Sequence, residues 1–289
     1  MTTSTRPPLG ADELARAVAE VADLLRGRRT VALTGAGLST EAGLPDYRGS
    51  GVPEREPISY QQFVGAEHWR RYCWARNQAG WSLLERLAPT AGHRALAELE
   101  AGGLVGGVIT QNVDRLHTRA GSRRVHELHG AYDRVVCLDC GDRSSRAELD
   151  ARLRSLNPGL VAVASLAEVE VLPAADESRA IVCTFETAPC DRCGGTLKPD
   201  VVFFGELLPA DEMERSFALV EESDVLLVAG TSLAVQTGMW MVQEALDLGR
   251  DVVVVNHGPT AADRHATVRV TGGTGEVLGG VAERLAQGA

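Results

Sequence analysis

The amino-acid sequence predicts an α/β protein in which a doubly wound parallel sheet forms a large domain, with a smaller lobe inserted into it. Short apolar segments rich in β-branched residues alternate with amphipathic segments, as in parallel sheets that are covered on both faces. A glycine-rich run follows the first apolar segment. Two stretches, roughly 45–89 and 131–197, break the alternation, and we assign both to the smaller lobe.

The predicted elements follow one another in a regular order. An amphipathic helix is expected over residues 11–26, where apolar residues recur at helical spacing and two acidic residues stand in the first turn. The first strand is expected at residues 30–33. Later strands are predicted at 105–110, 201–204, 225–229 and 251–256, and crossover helices at 91–101, 211–222 and 237–248.

The glycine-rich run at residues 35–49 is typical of a nucleotide pocket. Gly35 and Gly37 let the backbone turn tightly and approach a pyrophosphate, whose charge the N-terminus of a following helix would stabilise. The usual dinucleotide fingerprint has a glycine three positions after Gly37, but Thr40 stands there, which weakens a hydride-transfer interpretation. On its own, the run could equally be an ordinary tight turn.

Four of the six cysteines form two Cys-x-x-Cys pairs, Cys137 with Cys140 and Cys190 with Cys193. This spacing lets the two thiolates of each pair bind one metal ion. The gap between the pairs exceeds the roughly 15 to 20 residues of zinc ribbons, so spacing alone favours zinc over a redox pair without deciding between them. Four protein ligands leave no open position, so a zinc ion here would hold the lobe together and would not activate water.

Composition excludes several classes of protein. A chain of 289 residues, 44% of them hydrophobic, can bury one large core with a smaller satellite. The net charge of −10 argues against a nucleic-acid surface and favours basic protein substrates. No apolar run reaches the roughly 18 to 20 residues that span a bilayer. Because residues 1–10 lack the apolar core of a secretory signal, a cytoplasmic location is expected.

A series of motifs, spread over residues of about 30–276, resembles the sirtuins. In chain order they are Gly35-Ala-Gly-Leu-Ser39, Gly43-Leu-Pro-Asp-Tyr-Arg48, Thr110-Gln-Asn-Val-Asp114, Leu116-His117, His129-Gly130, the two cysteine pairs, Lys198-Pro-Asp-Val-Val-Phe-Phe-Gly-Glu206, Gly230-Thr-Ser232 and Asn256-His-Gly258. Segments 71–81, 120–124, 136–141 and 197–200, with the long insert between the cysteine pairs, are most similar to class II sirtuins, a class that includes a mitochondrial member. Lys198 is the only lysine, which suggests a high-GC bacterial source.

The resemblance implies an NAD-dependent protein lysine deacylase, which transfers the acyl group of acyl-lysine to ADP-ribose and releases nicotinamide. It also implies NAD as co-substrate, one structural Zn²⁺ on the four cysteines, and acyl-lysine proteins or peptides as partners, with no direct contact to nucleic acid or membrane. A single catalytic domain over residues 1–289 is expected, as a monomer. Within it we expect a Rossmann-like NAD-binding lobe at 11–44, 90–130 and 198–289, a helical and cofactor-loop module at 45–89, and a zinc-binding module at 131–197.

His129 is the catalytic base that the resemblance implies. A neutral imidazole, with an ordinary pKa of about 6.5, suits the removal of a ribose hydroxyl proton once the acyl oxygen has attacked the anomeric carbon. Asn112 and Asp114 are implied to line the nicotinamide pocket and to share the catalytic role. Without the other motifs, His129 would more simply be a structural or exposed histidine, and Asn112 and Asp114 could equally be strand-end caps and turn formers. The residues implied to contact NAD are Gly35, Ala36, Gly37, Ser39, Glu41, Asp46, Tyr47, Arg48, Gln111, Asn112, Asp114, Gly230, Thr231, Ser232, Asn256, His257, Gly258 and Thr274.

The substrate side of the site is also implied by the resemblance. Five residues resemble the edge that pairs with an extended peptide, so the acyl-lysine substrate is expected to bind by β-addition between the lobes. They are Val201, Val202, Phe203, Phe204 and Gly205. Tyr72 and Arg76 are expected to shape the acyl pocket, or else to pack inward as aromatic-rich helices usually do. Sirtuins that prefer succinyl or malonyl groups carry Tyr-x-x-Arg, whereas Ala75 stands three positions after Tyr72, which argues against a strong preference for acidic acyl groups.

Three alternatives stay open from the sequence. The same scaffold acting as a protein mono-ADP-ribosyltransferase begins with the same cleavage of NAD, so the residues do not separate the two activities. A non-catalytic sensor of NAD or ADP-ribose could have lost His129, Asn112 and Asp114, all of which are present. A zinc-ribbon DNA-binding module predicts a basic surface, whereas residues 142–188 carry both signs of charge and no cluster of arginines with aromatics.

Overall fold

The structure is a computed structural model that describes residues 9–44, 57–160 and 183–287. Its strands, in chain order, are β1 (Thr30–Thr34), β2 (Val105–Thr110), β3 (Val125–Glu127), β4 (Gly130–Cys137), β5 (Arg143–Ser145), β6 (Leu197–Val201), β7 (Val225–Ala229), β8 (Asp251–Val255) and β9 (Val268–Val270). A parallel sheet runs in the order β3-β2-β1-β7-β8-β9. The strand order reverses between β1 and β7, so the carboxyl ends of these two strands flank the crevice where doubly wound sheets bind ligands.

Helices cover both faces of this sheet. In chain order they are α1 (Ala11–Leu25), α2 (Tyr60–Gly65), α3 (Glu67–Leu84), α4 (Ala91–Ala101), α5 (Leu116–Ala120), α6 (Arg146–Leu156), α7 (Ala210–Glu221), α8 (Gln236–Asp247) and α9 (Thr274–Ala286). Helices α1, α4 and α9 bury Leu25, Leu96 and Val281 against one face. Helices α7 and α8 bury Leu219 and Met241 against the other, which confirms the doubly wound fold class. None of the described helices combines the length and the apolar character needed to cross a bilayer.

The predicted elements agree with the structure except at two places. The crossover helices and four strands of the parallel sheet, β1, β2, β7 and β8, lie within one residue of their predicted bounds, whereas β3 and β9 were not predicted. Residues 36–42 form two short 3₁₀ turns, whereas a helix was expected to follow the first strand. The strand predicted at 201–204 was wrong, because β6 ends at Val201 and pairs antiparallel with β4. β-branched and aromatic residues indicate extended backbone, but they do not show which sheet it joins.

The smaller lobe is built around a second sheet, in the order β5-β4-β6, with antiparallel pairing. Helix α3 packs on this sheet, and Trp74 shares a core with Val135 and Leu197. The indole Nε1 of Trp74 donates a hydrogen bond to the carbonyl of Leu197 at 3.0 Å. The helical segment and the cysteine-bearing segment therefore form one inserted lobe with a common core.

Arg146 joins α6 to α3 inside this lobe. Its side chain is fully buried, and its guanidinium carbon lies 4.7 Å from the ring centroid of Trp81 and 5.5 Å from that of Trp74. The guanidinium donates to Asn77 Oδ1 and to Gln78 Oε1, at 2.7 Å each. Burial lowers the pKa of Arg146 to about 10, so the side chain is still charged at neutral pH. Two rings and two amides therefore stabilise a buried cation between the helices.

Candidate active site

The loops that follow β1 and β7 touch at the carboxyl edge of the parallel sheet. The N–H of Gly37 donates to the carbonyl of Gly230 at 2.7 Å. A Cβ on Gly37 would lie 2.8 Å from that oxygen, and a Cβ on Gly35 would lie 2.6 Å from the Cβ of Thr231. A Cβ on Gly230 would overlap the backbone nitrogen of Leu38. The approach of a second loop, more than a tight turn, therefore explains why positions 35 and 37 are glycine.

Replacing Gly230 by alanine is expected to cost about 3 kcal/mol of unfolding free energy, against about 1 kcal/mol for Gly249→Ala. Both glycines have left-handed backbones, with φ of +65° and +67°, so the conformational cost is the same. An added Cβ meets backbone atoms at Gly230 and nothing within 4 Å at Gly249. Urea denaturation of the two variants measures the difference. Equal losses would show that the two loops do not pack as described.

Asn112, Ser39 and Asp114 form a hydrogen-bonded cluster beside this loop contact. Asn112 Nδ2 donates to the carbonyl of Gly35 at 3.0 Å and to Ser39 Oγ at 3.1 Å. Ser39 Oγ donates to Asp114 Oδ2 at 2.7 Å, and the N–H of Leu116 donates to Asp114 Oδ1 at 2.9 Å. Burial raises the pKa of Asp114, and these two hydrogen bonds oppose that rise. Two side chains expected in the nicotinamide pocket are thus fixed against the glycine loop.

His129, the residue before β4, is held at both ring nitrogens. Its Nδ1 lies 2.9 Å from the carbonyl oxygen of Gln111, and its Nε2 lies 3.0 Å from Oγ1 of Thr237. A carbonyl only accepts, so Nδ1 carries the proton of the neutral ring and Nε2 keeps its lone pair. Burial lowers the pKa of His129, and the hydrogen bond to Gln111 opposes this. His129 is therefore a neutral base at neutral pH, with Nε2 as the basic atom.

The segment that follows β6 lies next to His129. The N–H of Val202 donates to the carbonyl of His129 at 2.9 Å, and the N–H of Phe203 donates to Glu206 Oε2 at 2.8 Å. The Nζ of Lys198, which is buried, lies 3.1 Å from the same carboxylate oxygen. An ion pair between a buried lysine and a partly buried glutamate therefore fixes the segment on which the peptide-binding edge is expected.

The rest of that expected edge contacts α2. The ring of Phe203 packs edge-on against Phe63, with centroids 5.2 Å apart. Phe204 forms an isolated parallel bridge with Ser59, yet the residue is 55% exposed. Gly205 is exposed as well. The apolar side chain of Phe204 is therefore open to solvent two residues after Val202, whose N–H bonds to His129.

Asn256 and Gly258 follow β8 in a turn that Arg269 holds. The guanidinium of Arg269 donates to the carbonyl of Asn256 at 2.9 Å and to that of Gly258 at 2.6 Å, and it pairs with Asp263 at 2.8 Å. Asn256 Nδ2 also donates to the carbonyl of Gly258 at 3.0 Å. His257 between them is exposed. The side chain expected to bind the adenosine ribose is thus pre-oriented within its own turn.

Of the other predicted NAD contacts, some lie within the described residues and some lie outside them. Glu41 and Thr274 are close in space, since a Cβ on Gly275, the second residue of α9, would lie 2.9 Å from Glu41 Oε1. Ala36 opens the first 3₁₀ turn, and Ser232 is exposed after β7. Three further predicted contacts lie outside the described residues, namely Asp46, Tyr47 and Arg48.

The two residues predicted for the acyl pocket lie on α3 and contact each other. The guanidinium carbon of Arg76 lies 5.4 Å from the ring centroid of Tyr72, and Arg76 Nη1 lies 3.5 Å from the Tyr72 hydroxyl. Trp69 packs edge-on against the same ring. This cluster is half-buried, and its part in an acyl pocket stays a prediction.

The four cysteines of the two pairs converge on one point. All four Sγ atoms lie within 4.8 Å of one another, with 3.5 Å between Cys137 and Cys193 and 3.9 Å between Cys140 and Cys190. A disulfide would require about 2.05 Å. Tetrahedral zinc with bonds of about 2.3 Å separates its sulfur ligands by about 3.8 Å, which fits these distances. The donor set is that of a closed, structural zinc site.

Sequence reasoning missed Thr237 and Arg269. Thr237 lies in the first turn of α8, where a hydroxyl residue is unremarkable, and only the packing of α8 against the end of β2 brings it to His129. Arg269 lies in β9, a strand of three residues that was not predicted. Neither position carries a motif, so no local signal could have identified them.

Known proteins resemble this chain along nearly its whole length. The model of the Sir2 family matches residues 35–237. The NAD-dependent protein deacetylase 1 of Mycobacterium avium (strain 104) is 48% identical over 267 residues, covering 92% of this chain and 95% of its own length. The NAD-dependent protein lipoamidase sirtuin-4, mitochondrial, of Homo sapiens is 41% identical over 258 residues, covering 87% and 81%. A solved Sir2 mutant with a p53 peptide and NAD has a TM-score of 0.69 at 29% identity, covering 94% of this chain and 98% of that one.

Proposed function

The chain belongs to the Sir2 family, and from this premise we propose that it acts as an NAD-dependent protein lysine deacylase. It transfers the acyl group of acyl-lysine to ADP-ribose and releases nicotinamide. NAD is the co-substrate, and one structural Zn²⁺ is bound by the four cysteines. Its substrates are acyl-lysine proteins or peptides, in line with the p53 peptide bound to a solved relative.

The observation that carries the proposal is the state of His129. NAD supplies a ribose whose hydroxyl must lose a proton after the acyl oxygen has replaced nicotinamide. His129 has a lowered pKa and an Nε2 lone pair, so it can take that proton at neutral pH. The carbonyl of Gln111, 2.9 Å from Nδ1, then stabilises the imidazolium that forms.

We assign the binding of NAD to the residues around the crevice. Asn112 and Asp114 orient the nicotinamide end, since both are already fixed by Ser39. Where Gly37 contacts Gly230, the two residues present backbone without side chains. A pyrophosphate can therefore approach the sheet closely at this point. The turn after β8, held by Arg269, takes the adenosine end.

We assign the acyl-lysine peptide to the segment Val202–Gly205. The N–H groups of Val202 and Phe203 and the carbonyls of Phe203, Phe204 and Gly205 are already bonded within the protein. A substrate strand is therefore proposed to pair with the carbonyl of Val202 and the N–H of Phe204. Tyr72 and Arg76 are proposed to line the acyl pocket, without a strong preference for acidic acyl groups. A monomeric state and a cytoplasmic site of action stay predictions.

The test is nicotinamide release from NAD in the presence of a panel of acyl-lysine peptides. The panel includes acetyl, longer-chain and branched dicarboxylic acyl groups, and mass spectrometry identifies the products. Peptide-dependent release with formation of O-acyl-ADP-ribose supports the deacylase. Release that leaves ADP-ribose on a protein would instead establish the mono-ADP-ribosyltransferase, and tight NAD binding without turnover would establish a sensor.

Deacylation is expected to lose activity only at a pH below about 6.5. The base works in its neutral form, so kcat/KM rises with pH until His129 is deprotonated and then levels off. Since burial lowers the pKa of His129, the midpoint of the acidic limb lies below the ordinary value. The kcat/KM profile from pH 4.5 to 8.5 measures it, and a midpoint above 7 would contradict a buried neutral base.

Acid unfolding must be separated from this titration. Burial lowers the pKa of His93 to about 4, so the unfolded chain binds a proton more tightly than the folded one. The protonation of His93 therefore lowers the free energy of unfolding as the pH falls from about 6.5, the ordinary pKa of histidine, toward about 4. Circular dichroism at each pH, on the same samples, shows whether the enzyme is still folded where its activity falls.

A further inference from the structure

A chain of hydrogen bonds leads from the loop after β7 to the catalytic base. The N–H of Leu233 donates to Thr231 Oγ1 at 3.1 Å, and Thr231 Oγ1 donates to Gln111 Oε1 at 3.0 Å. Gln111 Nε2 donates to Thr237 Oγ1 at 3.2 Å. Thr237 Oγ1 lies 3.0 Å from His129 Nε2. The end of β2, the loop after β7, the first turn of α8 and the start of β4 are thus connected.

The histidine end of this hydrogen-bonded series fixes the direction of every donor in it. The carbonyl of Gln111 only accepts, so Nδ1 of His129 carries the proton and Nε2 accepts from Thr237 Oγ1. Thr237 Oγ1 then accepts from the amide nitrogen of Gln111, and Gln111 Oε1 accepts from Thr231 Oγ1. The N–H of Leu233 donates to Thr231 Oγ1, which is consistent with these directions.

On the premise of the deacylase function above, we propose that Thr237 is a positioning residue for His129. Thr237 is only 8% exposed, so little solvent is available to replace its hydroxyl at the ring. In the resting enzyme the hydroxyl donates to Nε2 and holds the imidazole plane. Nε2 has one lone pair, so the O–H of Thr237 turns away from it when the ribose hydroxyl gives up its proton; Nε2–H is then the donor, and Thr237 Oγ1 accepts from it. A hydroxyl thus serves both protonation states, whereas an isosteric methyl serves neither.

Thr237→Val separates positioning from a general structural role. The base acts after nicotinamide has left, so exchange of labelled nicotinamide into NAD is expected to stay within about twofold of wild type. The kcat of acyl transfer is expected to fall about three- to tenfold, which corresponds to one net hydrogen bond. Thr237→Ser keeps the hydroxyl and is expected to restore acyl transfer.

A control separates this effect from the cost of removing any buried hydroxyl. Ser216 is buried on α7 and donates to the carbonyl of Glu212, away from the residues of the site. Ser216→Ala is expected to lower the melting temperature to a similar degree while the ratio of acyl transfer to exchange is unchanged. Parallel loss of both rates in Thr237→Val, or unchanged acyl transfer, would overturn the proposal.

A second readout does not depend on turnover. In the enzyme without substrates, ¹⁵N NMR of labelled histidine reports the hydrogen bond at the unprotonated Nε2 of His129. We expect this resonance to move in Thr237→Val and to return in Thr237→Ser; identical spectra would refute the contact. If the wild-type enzyme turns over no acyl peptide, the deacylase function fails, and the NMR comparison still decides whether Thr237 holds the ring.

Discussion

His129→Ala is expected to lower the rate of deacylation about 10²- to 10⁴-fold, the usual contribution of a positioned general base. In the proposed mechanism His129 Nε2 accepts the ribose proton, and alanine removes this nitrogen together with the hydrogen bonds to Gln111 and Thr237. Nicotinamide exchange precedes the proton transfer, so it is expected to persist. Mass spectrometry of O-acyl-ADP-ribose and exchange of labelled nicotinamide measure the two steps separately.

The control for this variant is His68→Ala, because His68 is exposed on α3. It is expected to leave both deacylation and exchange at wild-type rates. If His129→Ala deacylated at the wild-type rate, another group would have to accept the ribose proton. If it lost exchange and deacylation together, His129 would have to act on the cleavage of NAD itself, and the order of steps assumed here would be wrong.

Four strands of the parallel sheet could be predicted because each is a short apolar run in the local sequence; β3 and β9, with three residues each, were not predicted. Both faces of β7 and β8 are buried, so Val225–Ala229 and Asp251–Val255 are nearly continuous apolar runs. The four-cysteine site could also be predicted from the sequence, since the spacing within each pair reflects one tight turn around a metal. Cys137 and Cys190 are 53 positions apart in the chain. The two pairs meet at one point because β4 pairs with β6, and the spacing within each pair does not show that pairing.

Contacts between segments distant in the chain were not predictable in the same way. Gly37 is glycine because Gly230 approaches it, and nothing near Gly37 in the sequence indicates that partner. The hydrogen bond from Thr237 to His129 joins residues 108 positions apart. Motif resemblance located the base, but its tautomer and its lowered pKa follow from burial and from neighbours that only the folded chain brings together.

Cys137→Ser is expected to release the zinc ion and to lower the free energy of unfolding by about 4 kcal/mol, as loss of a metal site typically does. The melting temperature is expected to fall by roughly 5–10 °C. Deacylation is expected to be lost as well, because Cys137 ends the same strand that begins next to His129, and β6 leads from this sheet into the proposed peptide segment. Zinc content, thermal unfolding and turnover measure the three effects.

Cys183→Ser is the matched control, since Cys183 is an exposed thiol outside the four-sulfur cluster. It is expected to retain one zinc per chain, the wild-type melting temperature and full turnover. Because the four thiolates fill a tetrahedral site, zinc has no open position for water or substrate. Partial activity in Cys137→Ser should therefore track the folded fraction of the smaller lobe. Full activity in zinc-free enzyme would show that β4 holds His129 without help from the metal.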